Sequence, residues 1–342
     1  MRVLITGGNG LVGKLTTRRL LQAGWDVRVI GIETGVEISG AEYTTCDILD
    51  YAKLREQVRG CQGIVHLGAI SNPRVAPGSD VFRVNVAGTF NVFEAAAAEG
   101  IKRVVQASSI NALGAMWSID DMRLHYFPID EAHPTYTTDP YSFSKQMVED
   151  IGAYYWRRDG ISSAAFRLPG VWRAEALYSP ERLQRFETAR AALDALLAEP
   201  EAVQRERIAD IRKRALTYRS TRPLEYSDSA PEWPKQSPDS DWLWFAYVFD
   251  RFNFWAYIHE ADSALAFEKA LTADYDGSHT LFINSSHNWL GYDTEAILRL
   301  FYPNVTARTR PIRGSESLVS IDKARDLIGF EPEHLVHLRH NI

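Results

Sequence analysis

The feature that most restricts this chain is where its first glycines fall. A short apolar run, Val3-Leu4-Ile5-Thr6, passes directly into Gly7-Gly8-Asn9-Gly10-Leu11-Val12-Gly13. A helical pattern then begins at once, carried by Leu15, Leu20 and Leu21 to a stop at Gly24. Strand, tight turn and helix in that succession open a βαβ unit. Further strand candidates are the short apolar runs Val27–Ile32, Ile64–Leu67, Arg103–Ala107 and Ala164–Leu168. Helical stretches separate them at Ala52–Val58, Val81–Gly100 and Tyr141–Arg158. Strands that alternate with helices pair in parallel through crossovers, in a sheet covered on both faces. The expected fold class is α/β, with a doubly wound parallel sheet.

Each glycine of the turn has a reason. Gly7 supplies the tight turn, Gly10 lets the backbone approach a pyrophosphate, and Gly13 lets the helix pack close to the strand. Free N–H groups at the start of the helix then face the anion. The turn reads as a dinucleotide site on a Rossmann-type sheet.

A second motif is chemical. Tyr141-Ser142-Phe143-Ser144-Lys145 places a phenol and an ammonium one helical turn apart on one face. A free tyrosine has a pKa near ~10, too high for an efficient base at neutral pH. A nearby cation, reinforced by an oxidised nicotinamide ring, is expected to lower it. Tyr141 is then able to exchange a proton with a substrate oxygen while hydride moves at the same carbon.

Composition removes several other classes. The 342 residues carry a net charge of −6, which gives no attraction for nucleic acid or an anionic membrane. No apolar run approaches the ~18–20 residues of a membrane span. The apolar stretch at the N-terminus is shorter than the ~7–15 residues of a signal-peptide core, so the expected compartment is the cytoplasm. Cys46 and Cys61, the only cysteines, read as reduced small hydrophobes. No metal site is expected: His66 falls in a buried strand, and His334, His337 and His340 in a frayed tail.

Beyond residue 172 the pattern changes. Leu183, Phe186, Leu193 and Leu197, then Ile208, Ile211 and Ala215, recur at helical spacing on highly charged segments, with Pro200 opening the second helix. The arginines of Arg205–Arg214 read as a solvated face. Thr221–Pro238 reads as a loop or crossover. The aromatic cluster from Trp242 to Tyr257 reads as buried packing more than as pocket lining. Leu281–Asn284 reads as a strand, and Tyr292–Phe301 and Ser320–Leu327 as helices. The expected division is a dinucleotide-binding domain over 1–172, with a return of the chain at about 250–270. A substrate-binding region over 173–342 would include a helical insertion at about 178–240.

The GxxGxxG spacing at Gly7, Gly10 and Gly13 resembles that of the short-chain dehydrogenase/reductases, and the first half resembles their extended branch, the NAD-dependent epimerase/dehydratase family. Cys46-Asp47-Ile48-Leu49-Asp50 matches that family's acidic motif, Val65-His66-Leu67-Gly68-Ala69 its fourth-strand motif, and Asn85-Val86-Ala87-Gly88-Thr89 its helix-embedded asparagine. The resemblance implies catalysis by Ser109, Tyr141 and Lys145, Ser109 being the hydroxyl five residues before Gly114. It also implies cofactor contacts from Gly7, Asn9, Gly10, Leu11, Val12, Gly13, Asp47, Ile48, Leu67, Gly68, Ala69, Asn85, Tyr141, Lys145 and Pro169. The cofactor implied is NAD, with NADP open, because Gly31 stands where the family carries a ribose-binding acid; Glu33 lies two residues on.

Two departures narrow the activity. Ile110-Asn111 follows Ser109 where the family's dehydratases carry Asp-Glu, which removes that reading. Arg167-Leu168-Pro169-Gly170 lacks the asparagine with which its sugar-nucleotide epimerases touch a diphosphate. The expectation is an NAD(P)-dependent oxidoreductase that interconverts a secondary alcohol and a carbonyl on a sugar, sugar acid or related polyhydroxy compound. The alternative is a sugar or nucleotide-sugar 4-epimerase that retains NAD. A dinucleotide-sensing regulator without catalysis is a third class, disfavoured because Tyr141 and Lys145 are both present. By resemblance, Val81–Gly100 and the helix from Tyr141 form a homodimer interface.

Overall fold

A computed structural model describes residues 1–228 and 241–335. Seven strands form one parallel sheet in the order β3-β2-β1-β4-β5-β6-β9. They are β1 (Arg2–Thr6), β2 (Asp26–Gly31), β3 (Glu42–Thr45), β4 (Gly63–His66), β5 (Arg103–Ala107), β6 (Ser162–Arg167) and β9 (Ser278–Phe282). The doubly wound parallel sheet expected from the sequence is therefore present. The polar β3, Glu-Tyr-Thr-Thr, lies beyond the hydropathy signal, because it is an edge strand with only partial burial.

Consecutive side chains of one strand serve opposite faces. Val3 and Ile5 join the core under helices Leu11–Gln22 and Glu260–Thr272, while Leu4 joins Val92, Phe93 and Tyr155 on the other side. This explains the unbroken apolar runs. Strand order reverses beside β1, so a crevice opens between the carboxyl ends of β1 and β4.

The expected helix Val81–Gly100 is broken into Gly78–Phe82, a π-helical turn Arg83–Ala87 and Gly88–Ala98. The wide turn brings Asn85 into the interior. Its Oδ1 accepts from the N–H of Ile70 (2.8 Å), and its Nδ2 donates to the Ile70 carbonyl (3.0 Å) and Ser144 Oγ (2.9 Å). Such turns recur where a helix must place a functional group.

Two insertion helices are observed at Pro180–Leu197 and Glu201–Ser220, with Pro200 at the N-cap of the second. Their apolar faces build a separate core with Phe254, Trp255 and helix Thr294–Phe301. The aromatic cluster supplies most of this core; Trp255 is fully buried against Phe301. A two-stranded parallel sheet, β7 (Gly170–Trp172) and β8 (Tyr257–His259), links it to the first sheet. Arg219 fastens the two parts together. Its fully buried guanidinium donates to the carbonyls of Ala115, Met116, Ser118 and Val248, and lies 3.6 Å from the Phe252 ring centroid.

Among the described residues no helix is long and apolar enough to cross a membrane. Cys46 and Cys61 are buried and unbridged. Residues 229–238 of the expected loop, and His337 and His340, lie outside the described residues. His334 pairs with Asp262, whose carboxylate also accepts the N–H groups of Glu333 and His334.

Candidate active site

The glycine turn closes the crevice at the end of β1. Gly7 has φ +66°, and a Cβ there would lie 2.7 Å from the Gly68 nitrogen. A Cβ on Gly13 would lie 2.5 Å from the Gly7 carbonyl oxygen, so helix Leu11–Gln22 starts in direct contact with the turn. Gly8, which the motif spacing does not single out, is equally constrained: its Cβ would meet Val29 Cγ1 at 2.2 Å. Gly10 meets only the Gly7 oxygen, at 3.3 Å, and leaves its outer side open. No side chain caps this helix, and no acid lies in its first turn, so Leu11 and Val12 present an uncapped, positively polarised end. Asn9 is half-buried in the turn. This cradle fits a pyrophosphate.

The acid missing at Gly31 returns from two residues on. Tyr43 and Thr45 donate to the Glu33 carbonyl at 3.0 and 2.8 Å, and the Tyr43 hydroxyl lies 3.3 Å from Glu33 Oε2. That carboxylate oxygen sits 2.7 Å from where a Cβ of Gly31 would be. A larger residue at 31 would displace it. Asp47 is exposed and uses Oδ1 to accept from the Leu49 N–H (2.9 Å). Ile48 is buried, with Cδ1 in the space that a Cβ on Gly88 would take.

A polar chain of fixed direction runs beneath the crevice. Thr6 Oγ1 accepts from the N–H groups of Leu67 (3.1 Å) and Gly68 (3.0 Å), so its own proton goes to His66 Nδ1 (2.7 Å). His66 then donates through Nε2 to Thr89 Oγ1 (2.9 Å), which donates to the Asn85 carbonyl (2.5 Å). Burial, with Lys145 nearby, pushes His66 down to about 3, so it is a neutral hydrogen-bonding residue.

Ser109, Tyr141 and Lys145 meet in a cavity of about 470 Å³, with Leu67, Ala69 and Pro169 also on its wall. Gly114 makes the approach possible. It has φ +79°, and a Cβ would fall 1.8 Å from the Tyr136 carbonyl oxygen. Ser109 Oγ accepts from the N–H and Nδ2 of Asn111, both at 3.2 Å, so its proton is free to point at Tyr141. Lys145 Nζ donates to the Ala107 carbonyl (2.8 Å) and stands 5.9 Å from the centre of the Tyr141 ring. Burial lowers Lys145 to about 8, opposed by Glu149 one turn on, which is itself clamped by Arg167 (2.8 Å).

One expectation is corrected here. The phenol of Tyr141 is not depressed in the chain by itself. Burial raises it to about 12, against a lowering contact from Ser109, and Asp139 raises it further. The desolvation of a fully buried ring outweighs the hydrogen bond from Ser109, while the Lys145 ammonium is turned toward the Ala107 carbonyl. The residue is therefore a protonated donor until further positive charge enters the pocket.

Another part of the cavity wall was not visible in the motifs. Helix Pro180–Leu197 contributes Arg182 and Arg185. Arg182 stacks 4.4 Å from the Trp172 ring centre, and Arg185 lies 5.3 Å from that of Trp289. Asp250 pairs with Arg185 at 3.2 Å, and Arg185 Nε is a buried donor without an acceptor among the described residues. The i,i+3 spacing of the two arginines on a predicted helix was the available signal. It lacked any indication of which face met the pocket.

The family model described as "NAD dependent epimerase/dehydratase family" matches residues 3–194. The chain belongs to this family. It is thus NAD dependent by family, as the glycine turn and the resemblance led us to expect, and the cradle described above fits that group. Uronate dehydrogenase of Pseudomonas putida is 31% identical over 169 residues, 49% of this chain and 60% of that protein. UDP-glucose 4-epimerase of Mus musculus is 31% identical over 172 residues, 44% of this chain and 47% of that one. The chain thus matches no more than about three-fifths of the length of these relatives. A solved NAD-bound short-chain dehydrogenase/reductase superfamily protein from Agrobacterium tumefaciens superposes with a TM-score of 0.61 at 20% identity, over 98% of this chain and 93% of that one, which shows the shared fold.

Proposed function

We propose that the chain is an NAD-dependent dehydrogenase of a carboxylate-bearing sugar, converting a secondary alcohol to a carbonyl. The observation that carries this reading is the polarity of the 470 Å³ cavity. Its lining joins the proton-transfer groups to two guanidiniums from the insertion helix, opposed, among the described residues, by the single carboxylate of Asp250. A substrate carboxylate at Arg182 and Arg185 Nε offsets that charge and fixes the sugar's register. The similarity to uronate dehydrogenases points the same way.

The turn Gly7–Gly13 would hold the pyrophosphate, Glu33 the adenosine ribose, Asp47 and Ile48 the adenine, and Tyr141 and Lys145 the nicotinamide ribose, with Leu67, Gly68, Ala69 and Pro169 alongside. Asn85 acts one step back, by fixing Ile70 and Ser144. NAD, when bound, supplies the hydride acceptor and a positive ring. Tyr141 takes the proton of the substrate hydroxyl, Ser109 donates to the same oxygen, and Lys145 supports the phenolate. Glu33 favours a free 2′-hydroxyl, hence NAD over NADP. Phe82, Phe90, Phe143 and Tyr154 are exposed on neighbouring helices. We assign this face to a homodimer contact; a monomeric mass in solution would contradict it.

The test is cofactor turnover. Net NADH is expected with NAD and a free hexuronate, and little with the neutral hexose. Isomeric products without NADH accumulation, from a sugar or UDP-sugar, would replace this reading with the 4-epimerase one.

A further inference from the structure

A second cavity, of about 910 Å³, lies behind the wall of the first and shares no lining residue with it. We propose that it binds a small amphiphilic anion, a carboxylate on an apolar body. This goes beyond the hydride-transfer reading and does not rest on it.

The floor is apolar: Ile208 and Leu216 from helix Glu201–Ser220 face Tyr247, Phe301 and Tyr302. The rim is cationic, with Arg123, Arg205, Arg212, Lys213 and Arg299. Among the described residues, Asp121 and Glu201 are the only carboxylates on the lining. Asp121 is already held by Arg251 (2.5 Å) and Arg212 (2.9 Å), and Glu201 by Arg205 (3.2 Å). Lys213 and Arg299 form no ion pair among the described residues. A positive rim on a protein of net charge −6 is a local inversion of its field. It selects a negative head, while the aromatic floor selects an apolar tail. The volume suits an organic molecule and far exceeds what a lone inorganic anion fills.

The two cavities are back to back across one short segment. The π-helical turn Ala246–Asp250 gives Tyr247 to this cavity, and Phe249 and Asp250 to the catalytic one. Arg251 continues that segment. Its guanidinium is buried, bonded to Asp121 and to the Phe301 carbonyl (2.9 Å), and its own carbonyl accepts from the Tyr302 hydroxyl. An occupant that presses on Tyr247 or Tyr302 acts on the segment that positions Asp250, the partner of Arg185.

Titrating the full chain calorimetrically with sodium decanoate, in saturating NADH, tests the site. One saturable event is expected, at least about tenfold tighter than with decanol. A K213E/R299E double variant should weaken it by about tenfold or more, while NADH affinity and thermal midpoint stay unchanged. Both side chains are exposed and remote from the catalytic groups. The proposal fails if decanoate gives no saturable heat below about 1 mM, if the double variant binds it equally well, or if NADH displaces it into competition for the catalytic crevice.

Discussion

The first 170 residues and the stretch from Tyr178 to Tyr257 reach burial by different routes. In the first, each strand carries its own apolar run, and the chemistry sits in the turns that follow the strands: Gly7 after β1, Gly68 after β4, Ser109 after β5. In the second, the buried side chains lie on charged helices, and their partners are distant in sequence, as Phe186 is from Trp289 and Tyr247 from Phe301. The first region makes a generic cofactor crevice from local signals. The second supplies the specific end of the pocket through contacts that only the assembled fold creates. In the proposed function the division is the same, with proton transfer on the sheet and substrate choice on the insertion.

If that division holds, Arg219 is a polar tie between the two regions, beside the apolar packing of Ile110, Leu113, Phe127 and Ile129 in the insertion core. Replacing it, as Arg219→Met, leaves several buried carbonyls without donors. The expected cost is about 3–5 kcal/mol of stability by denaturant unfolding. A loss below about 1 kcal/mol would mean the insertion core stands apart from the loop Ala115–Ser118. A smaller effect, of a different kind, is expected for Arg182→Ala. Loss of a charge-assisted contact of about 1.5–3 kcal/mol predicts a fall in kcat/KM for a carboxylate sugar of about ten- to a hundredfold. NAD binding and activity on a neutral sugar should not change. A matching loss on neutral sugars would show that Arg182 serves the fold and not the choice of substrate.

An effect that grows only as pH falls belongs to the sheet. His66 is neutral when folded, pushed down to about 3 by burial, whereas in the unfolded chain it takes a proton near ~6.5. Between those values the unfolded state binds more protons, so stability falls as pH drops. This residue contributes up to about 1.4 kcal/mol per pH unit. Unfolding midpoints measured across pH 4–6.5 should show a shallower slope in His66→Gln. An unchanged slope would remove the polar chain from Thr6 to Asn85 as a buried, proton-excluding element.

Much of this was legible in the sequence, and the exceptions have causes. The strand–turn–helix order, the role of Gly7 and Gly13, and the pairing of Tyr141 with Lys145 followed from local patterns, because each strand delivers its next residue to the same sheet edge; Ser109 came from the family resemblance alone. Strand β3 escaped notice, since an edge strand needs no apolar face. The π-helical turn at Arg83–Ala87 was invisible because helical spacing does not record one extra residue. Arg182 and Arg185 carried no motif that singled them out, and the packing of Trp172 and Trp289 against them reveals a pocket. The raised phenol of Tyr141 was missed for a related reason: a motif gives spacing to a cation, and burial decides whether that cation prevails.

The phenol is also where the account is most exposed. Turnover of a hexuronate should be compared between the wild type and Tyr141→Phe, with NADH affinity measured on both. A fall in kcat of about 10²–10⁴ is expected, with the thermal midpoint retained and NADH still bound through the glycine turn, weakened only by the lost ribose contact. A variant that keeps kcat within about tenfold of the wild type would place the proton transfer on another group and contradict the mechanism.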